Sequence, residues 1–399
     1  MVLEIRLSNF FSIKDEIVLD LRAGNSKTQK ANALPDNTFT RNGEQILKSV
    51  AIYGANASGK SNIIKAIHSC VTLILQSHTY NDNIRFDYTP FKFDGYLTIS
   101  KPSSFFIRFV MDEIEYAYSF SFNLIQIISE SLYYYPNGRK AKIFTRNKES
   151  NKKGYKYSFS SSIRKPMDVA ENTSKKTLYL SRASQFDRET PQKIFRFFAE
   201  NIVFGFHREP SLIENLYHNY QDTLLKALQI ADSDIVNIRL LETPDPSQLL
   251  TFLTYHKADP SFAFDLTKEE SAGTLMLFYI VLTAIDVVKN NKLLIIDEID
   301  RSLHTKIVEY LLHLFHVGDT AQIIYTTHNT NLLNLEKLRK DQIYFVNKKE
   351  DASSDLYSLF DYRDFGNTTD VEKAYLQGRF DAIPYINDSD NNLKSLIYE

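Results

Sequence analysis

Apolar and polar residues alternate over Leu3–Leu7, the mark of a half-buried strand, and Ile17–Leu21 predicts a second. Lys48–Tyr53 is a short apolar run that ends at a glycine. Behind it, Ile63, Ile64, Ile67, Cys70, Val71 and Ile74 recur at helical spacing, which predicts a helix over Gly59–Gln76. The first region therefore reads strand, glycine loop, helix. Over Ser104–Asn123 the period changes to two. Phe105, Ile107 and Phe109 alternate with their neighbours, and Tyr116, Tyr118, Phe120 and Phe122 do so after a turn at Met111–Ile114. This predicts a hairpin, with more strand near Ser131–Tyr135.

Asn137–Lys165 is polar and weakly periodic, and predicts a loop or a hairpin with a long exposed tip. Helices are expected at Pro191–Asn201 and Ile213–Ile230, and strands at Ile235–Leu241 and Leu249–Tyr255. A helix (Ser271–Val288), a strand (Lys292–Ile296), a helix (Thr305–Phe315) and a strand (Gln322–Tyr325) follow. Gln342–Asn347 and Leu356–Phe360 add strand candidates. There is no internal repeat and no heptad run sustained over three or four heptads.

Composition narrows the class without naming a function. At 43% hydrophobic and 24% charged residues, the 399-residue chain is globular rather than disordered. Its length suggests two or three domains. A single cysteine, Cys70, excludes an intramolecular disulfide and a zinc site built from several cysteines. That fits a reducing, cytoplasmic setting. The N-terminus lacks the basic start and apolar run of a signal peptide. The most apolar stretch, Gly273–Ile285, is shorter than the roughly 20 residues that span a bilayer, so a buried helix and no membrane are expected.

Four motifs carry chemistry. Gly54-Ala55-Asn56-Ala57-Ser58-Gly59-Lys60-Ser61 matches the phosphate-binding loop G-x-x-x-x-G-K-[ST] at every fixed position, between a strand and a helix. Its glycines let backbone amides turn toward phosphate oxygens, and the next helix directs its positive end at the same anion. Lys60 would reach the β- and γ-phosphates, and Ser61 would ligate Mg²⁺. Leu293–Glu298 is an apolar strand ending in two carboxylates, the Walker B arrangement. Asp297 would hold Mg²⁺ and Glu298 would act as general base; a strand followed by an acidic helix turn gives the same residues. His328 follows another apolar strand, at the end where parallel sheets carry ligands, and is a candidate γ-phosphate contact. Ser271 and Gly273 open the most apolar helix, either as a second anion site or as an ordinary N-cap.

The order of these motifs resembles the nucleotide-binding heads of ABC-type ATPases. Within them it is similar to the RecF/SMC-related branch, whose N-terminal strand runs into a stretch matched here by Asn9-Phe10-Phe11-Ser12. More narrowly the chain resembles the AAA15 family of ATPases, seen in RloA-like and AbiL-type phage-resistance operons and in the ATPase subunit of the PARIS system. Gly54–Asn62, Asp297–His304, Thr326–Asn329, and Ala374–Phe380 with Pro384 carry that likeness.

The resemblance implies an α/β fold, an ABC-type P-loop NTPase head. It would have a mixed β-sheet core with helices, an antiparallel β-subdomain, a helical insertion and no long coiled coil. Residues 1–135 would be the N-terminal half with the β-subdomain. Residues 136–234 would be an insertion, a basic loop or hairpin and then helices. Residues 235–399 would be the C-terminal half. Two heads would sandwich ATP and Mg²⁺, with Ser271 and Gly273 of one facing the γ-phosphate on Lys60 of the other and Asp300 at the interface. The catalytic set would be Glu298, His328 and Lys60; the nucleotide would be held by Gly54–Asn62, Ser271, Gly273 and Asp300; the metal by Ser61 and Asp297. A homodimer or higher even-numbered oligomer with a separate effector, a nuclease or toxin, is the expected antiviral assembly. The alternative is a RecF-like DNA-binding ATPase in repair or recombination.

The chain departs from the pattern in places. Phe11 stands where the SMC branch has arginine, the signature reads Glu-Ser-Ala-Gly-Thr, and the Q-loop glutamine is not placed, with Gln126 the one candidate. OLD-type relatives add a Toprim domain, for which the residues after His328 leave no room; Asp388-Ser389-Asp390 is read as a solvated tail.

Charge adds one more feature. The formal net charge is −2, yet Asn137–Lys165 holds Arg139, Lys140, Lys142, Arg146, Lys148, Lys152, Lys153, Lys156, Arg164 and Lys165 against Glu149 alone. Either it is a solvated loop, or it is a basic tip, with Phe144, Tyr155, Tyr157 and Phe159 interleaved, for nucleic acid or an acidic partner.

Overall fold

In the computed structural model all residues are described except 25–33, 82, 96–99, 150–153, 162, 164–165, 232–233, 242–249, 302, 363–369, 385–387 and 399. The chain opens with β1 (Val2–Ser8) and β2 (Ile17–Asp20), a small pair β3 (Thr38–Arg41) and β4 (Glu44–Leu47), then β5 (Ser49–Gly54) and α1 (Lys60–Gln76). A meander follows: β6 (Ser103–Met111), β7 (Ile114–Phe122), β8 (Ile127–Tyr134), β9 (Ala141–Lys148) and β10 (Tyr155–Phe159). Helices α2 (Pro166–Glu171), α3 (Tyr179–Gln185) and α4 (Glu189–Asn201) lead to β11 (Ile202–Phe204), α5 (Pro210–Ile230), β12 (Ile235–Leu241), β13 (Thr251–His256) and β14 (Asp259–Asp265). The C-terminal part runs α6 (Ala272–Lys289), β15 (Leu293–Ile296), α7 (Thr305–Val317), β16 (Gln322–Thr326), β17 (Ile343–Lys348), β18 (Ser354–Ser358), α8 (Val371–Leu376) and α9 (Asp390–Tyr398).

Two large sheets carry the fold. One is a mixed sheet, β11-β15-β16-β5-β17-β18, parallel except for β18. The other is antiparallel, β10-β9-β8-β7-β6-β1-β2. This is the α/β head architecture expected above, and no long coiled coil occurs among the described residues. Parallel strands covered on both sides are apolar throughout, and all of β5 and β15 is buried. Alternate residues serve opposite faces. Val50, Ile52, Leu293 and Ile295 pack toward α1 and the antiparallel sheet. Ala51, Tyr53, Leu294 and Ile296 pack toward α5, α6 and α7.

α6 is longer than the apolar run alone indicates. Its 18 residues are long and apolar enough to cross a membrane by composition, but Leu277, Phe278 and Ile280–Val287 are buried and the helix packs on α5 and α7.

The basic segment is the outer hairpin of the antiparallel sheet, so strands at 141–148 and 155–159 continue the sheet begun before residue 135. Residues 150–153, 162, 164 and 165, and with them Lys152, Lys153, Arg164 and Lys165, lie outside the described residues. Arg146 is not a surface cation. It is fully buried 3.6 Å from the equally buried Glu130, donates to the carbonyls of Thr177 (2.6 Å) and Ser174 (2.9 Å), and lies over the Tyr155 ring. Glu130 also accepts from Tyr118 and from the amides of Tyr179 and Leu180. Burial pushes the Glu130 carboxyl up, against the pull of Arg146 and those bonds. The interleaved rings belong to the same core: Phe144, Tyr157 and Phe159 all pack on Tyr179. What remains exposed is Arg139, Lys140, Lys142 and Lys156.

Removing one member of a buried ion pair strands the other charge. Arg146→Met is therefore expected to lower the unfolding free energy by about 3 kcal/mol or more. Arg139→Ala should stay within about 0.5 kcal/mol of the parent. Urea unfolding of the three proteins checks both.

Candidate functional site

The loop Gly54–Ser61 joins β5 to α1, at the carboxyl edge of the mixed sheet. Contacts too close for a side chain demand its two fixed glycines. A Cβ at Gly54 would lie 2.5 Å from the Val346 carbonyl oxygen. A Cβ at Gly59, where φ is +117°, would lie 2.0 Å from Ser354 Oγ and 2.7 Å from Ser12 Oγ. These serines grip the loop from outside. Ser354 Oγ hydrogen-bonds the Ser58 carbonyl (2.5 Å) and Ser12 Oγ (2.7 Å), and Ser12 Oγ accepts from Asn62 Nδ2 at 2.8 Å. The Ser354 amide donates to the Ser12 carbonyl.

The interior of the loop is polar and only partly satisfied. Lys60 is 5% exposed, and its ammonium donates to the carbonyls of Gly54 (2.8 Å) and Ala55 (3.0 Å). Burial lowers its pKa to about 8, although Asp297, Glu298 and Asp300 pull it back up. Ser58 Oγ is buried with no partner. No side chain caps α1 at Gly59, so its first amides keep the orphan donors of a helix N-terminus. An anion supplies what these groups lack, so the residues fit a nucleotide's phosphates.

The carboxylates arrive from β15. Parallel register sets Ile296 beside Tyr325 of β16, so the next pair is Asp297 and Thr326. Asp297 and Glu298 are both exposed at the strand end. Glu298 sits at φ +53°, a left-handed conformation that costs a non-glycine residue on the order of 1 kcal/mol. Buried Thr326 contacts both: its Oγ1 donates to Asp297 Oδ1 at 2.5 Å and accepts from the Glu298 amide at 2.7 Å. Thr327 Oγ1 donates to Asp300 Oδ1 at 2.6 Å. His328 stands beyond β16, where partial desolvation of its ring and the charge of Lys60 lower its pKa against the pull of Asp300, Glu298 and Asp297. No group of three or more His, Cys, Asp or Glu among the described residues could hold a metal alone. Ser61 and Asp297, with phosphate oxygens completing the shell, suit Mg²⁺.

Lys60, Asp297, Glu298, Asp300 and His328 thus meet at one edge of the sheet. Ser271 and Gly273 do not join them. Ser271 caps α6 by accepting from the Thr274 amide at 3.0 Å, and a Cβ at Gly273 would meet only Ser271 Oγ, at 3.6 Å. Gln126 lies in the turn after β7, bonded to Asn123. Phe11 lines a cavity of about 960 Å³ beside Glu298, with Lys65, His68, Arg208 and Arg301. Tyr375 of the C-terminal motif, and Glu372 just before that motif, brace the site from behind. Tyr375 packs on Tyr53, one residue before the loop, and Glu372 accepts from Thr330 Oγ1 at 2.7 Å, two residues after His328. Sequence reasoning missed Ser354, and it quoted Thr326 in the Thr326–Asn329 stretch without giving it a role. Ser354 has no local signal, whereas Thr326 is a hydroxyl at the end of the strand that precedes His328.

A model of the family described as "AAA domain, putative AbiEii toxin, Type IV TA system" matches residues 49–334, most of the chain. No curated protein sequence matches it. Among solved structures, the chain is similar to an SMC head domain from Thermotoga maritima, at 14% identity and a TM-score of 0.40 over 90% of this chain and 98% of that one. It is also similar to an Smc head bound to the C-winged helix domain of ScpA (15%, 0.43, 94% and 99%). A third is an Smc head domain with an extended coiled coil bound to the C-terminal domain of ScpA, derived from Pyrococcus furiosus (14%, 0.45, 95% and 98%).

The lowered pKa of Lys60 has a stability consequence. Below pH 8 the lysine is charged in both states, and the folded state bears the desolvation. Between about pH 8 and the usual 10.5 the unfolded chain binds more protons, so stability rises with pH. Lys60→Met should lack this contribution. Its thermal midpoint, relative to the parent without nucleotide, is expected to fall as pH rises through that window.

Proposed function

The chain belongs to this AAA-domain family and is a P-loop ATPase of the AAA/ABC type, and on that premise we propose that it hydrolyses ATP in a Mg²⁺-dependent, head-to-head dimer. One observation carries the proposal: three adjacent strands, β5, β16 and β15, deliver Lys60, His328 and the Asp297–Glu298 pair to one edge. In this reading the amides of α1 and the Lys60 ammonium hold and orient the phosphates. Ser61 and Asp297 hold Mg²⁺, which neutralises charge that develops on the phosphate oxygens. Glu298 accepts the proton of the attacking water. His328 donates a hydrogen bond to the γ-phosphate and fixes its position.

Ser271 is exposed and Gly273 half-buried at the N-terminus of α6, and the side-chain bonds of Ser271 stay within its own cap. We assign them, with Asp300, to the nucleotide of a second head. ATP would then close the dimer and hydrolysis would open it. The narrower AAA15 likeness supports a cytoplasmic sensor or scaffold in anti-phage defence that controls a separate nuclease or toxin; this rests on family resemblance. The DNA-binding alternative retains Arg139, Lys140, Lys142 and Lys156 as candidate contacts, but it loses Arg146 and the stacking rings to the core.

Lys60→Ala is expected to abolish ATP turnover; turnover at the parent rate would overturn the site. Glu298→Gln should reduce kcat by about a hundredfold or more. It should also accumulate an ATP-bound dimer in size-exclusion chromatography with ATP, and an unchanged monomer peak there would refute the sandwich.

A further inference from the structure

We propose that Thr326 is a positioning residue that locks both Walker B carboxylates with a single hydroxyl; this rests on the ATPase reading above. Thr326 closes β16 and is fully buried between β15 and β5. The strand itself does not call for a hydroxyl. Ile324, two positions back on the same face, is apolar and buried, and valine has the same shape as threonine. A buried hydroxyl is unfavourable unless its bonds are made, so the residue is explained by what it bonds.

Both partners belong to the site. A hydroxyl has one proton, and an ionised carboxylate can only accept. The proton therefore goes to Asp297 Oδ1, at 2.5 Å, and a lone pair receives the Glu298 amide, at 2.7 Å. The first bond fixes the Asp297 carboxylate and leaves its other oxygen for Mg²⁺. The second holds the Glu298 backbone at φ +53°, and so sets where the Glu298 side chain leaves the strand. The Thr326 carbonyl adds a third tie by accepting from the Ile299 amide at 3.0 Å. That backbone bond survives any side-chain change, so loss of the hydroxyl should spare the fold. Thr327 binds Asp300 instead and cannot substitute.

The test compares Thr326→Val with Thr326→Ser in the full chain. The readouts are steady-state ATPase, calorimetric ATP binding with and without Mg²⁺, and the thermal midpoint of the free protein. Thr326→Val should bind Mg²⁺-free ATP like the parent and lose about ten- to a hundredfold of the affinity that Mg²⁺ adds, with a similar fall in kcat. Its KM measured at saturating Mg²⁺ should change little, and Thr326→Ser should restore both properties to near-parent values. Parent-like kcat and Mg²⁺ dependence in Thr326→Val would overturn the proposal. So would equal loss in both variants accompanied by a lowered thermal midpoint, which is the signature of a packing role. A parent protein that bound no ATP would instead overturn the ATPase reading, and this proposal with it.

Discussion

The grip of two serines on the phosphate-binding loop is the contact on which the rest of the site depends. Ser12 comes from the N-terminal turn and Ser354 from the start of β18, and they meet over Gly59 with no room for a Cβ. The loop's own bonds are few, since the Ser58 amide reaches Ala55 only at 3.2 Å. Its shape is therefore imposed from outside, by segments more than 300 residues apart in sequence. The grip uses the outer surface, and no side chain caps the amides at the start of α1 that would meet an anion.

Local cost supported by surrounding structure is found at two reacting groups, Lys60 and Glu298. Lys60 is desolvated and bonded only to neutral carbonyls. Glu298 occupies a left-handed backbone conformation. Each is held by a neighbour with no chemistry of its own: the Gly54 and Ala55 carbonyls for Lys60, the Thr326 hydroxyl for Glu298. Tyr375 of the C-terminal motif and Glu372 just before it extend this support, bracing the segments on either side of the site. That gives the motif's unusual sequence a structural reason independent of any partner.

The basic hairpin shows how a charge count misleads. Ten cations in one segment suggested a surface for polyanions. One of them, Arg146, is instead half of a buried ion pair that ties the hairpin to the start of α3. The rings between them fill a core rather than offer faces to bases. Alternation along β9 and β10 marks which residues face inward, but composition does not.

The sequence by itself determined the elements and the catalytic inventory. Strand and helix periods, the glycine loop, the Asp-Glu pair and the histidine after its strand are all local, because each depends on residues within a turn or a strand of one another. The strand order was open, since parallel strands are joined by long crossovers that any segment can supply. Tertiary structure decided that β16 lies between β5 and β15, and so that His328 and Thr326 stand between the loop and the carboxylates. It also decided that Ser354 touches Gly59, that Arg146 is buried, and that Ser271 stays apart from the loop of its own chain. These are contacts across tens to hundreds of residues, set by which surfaces pack together, and no local pattern encodes them.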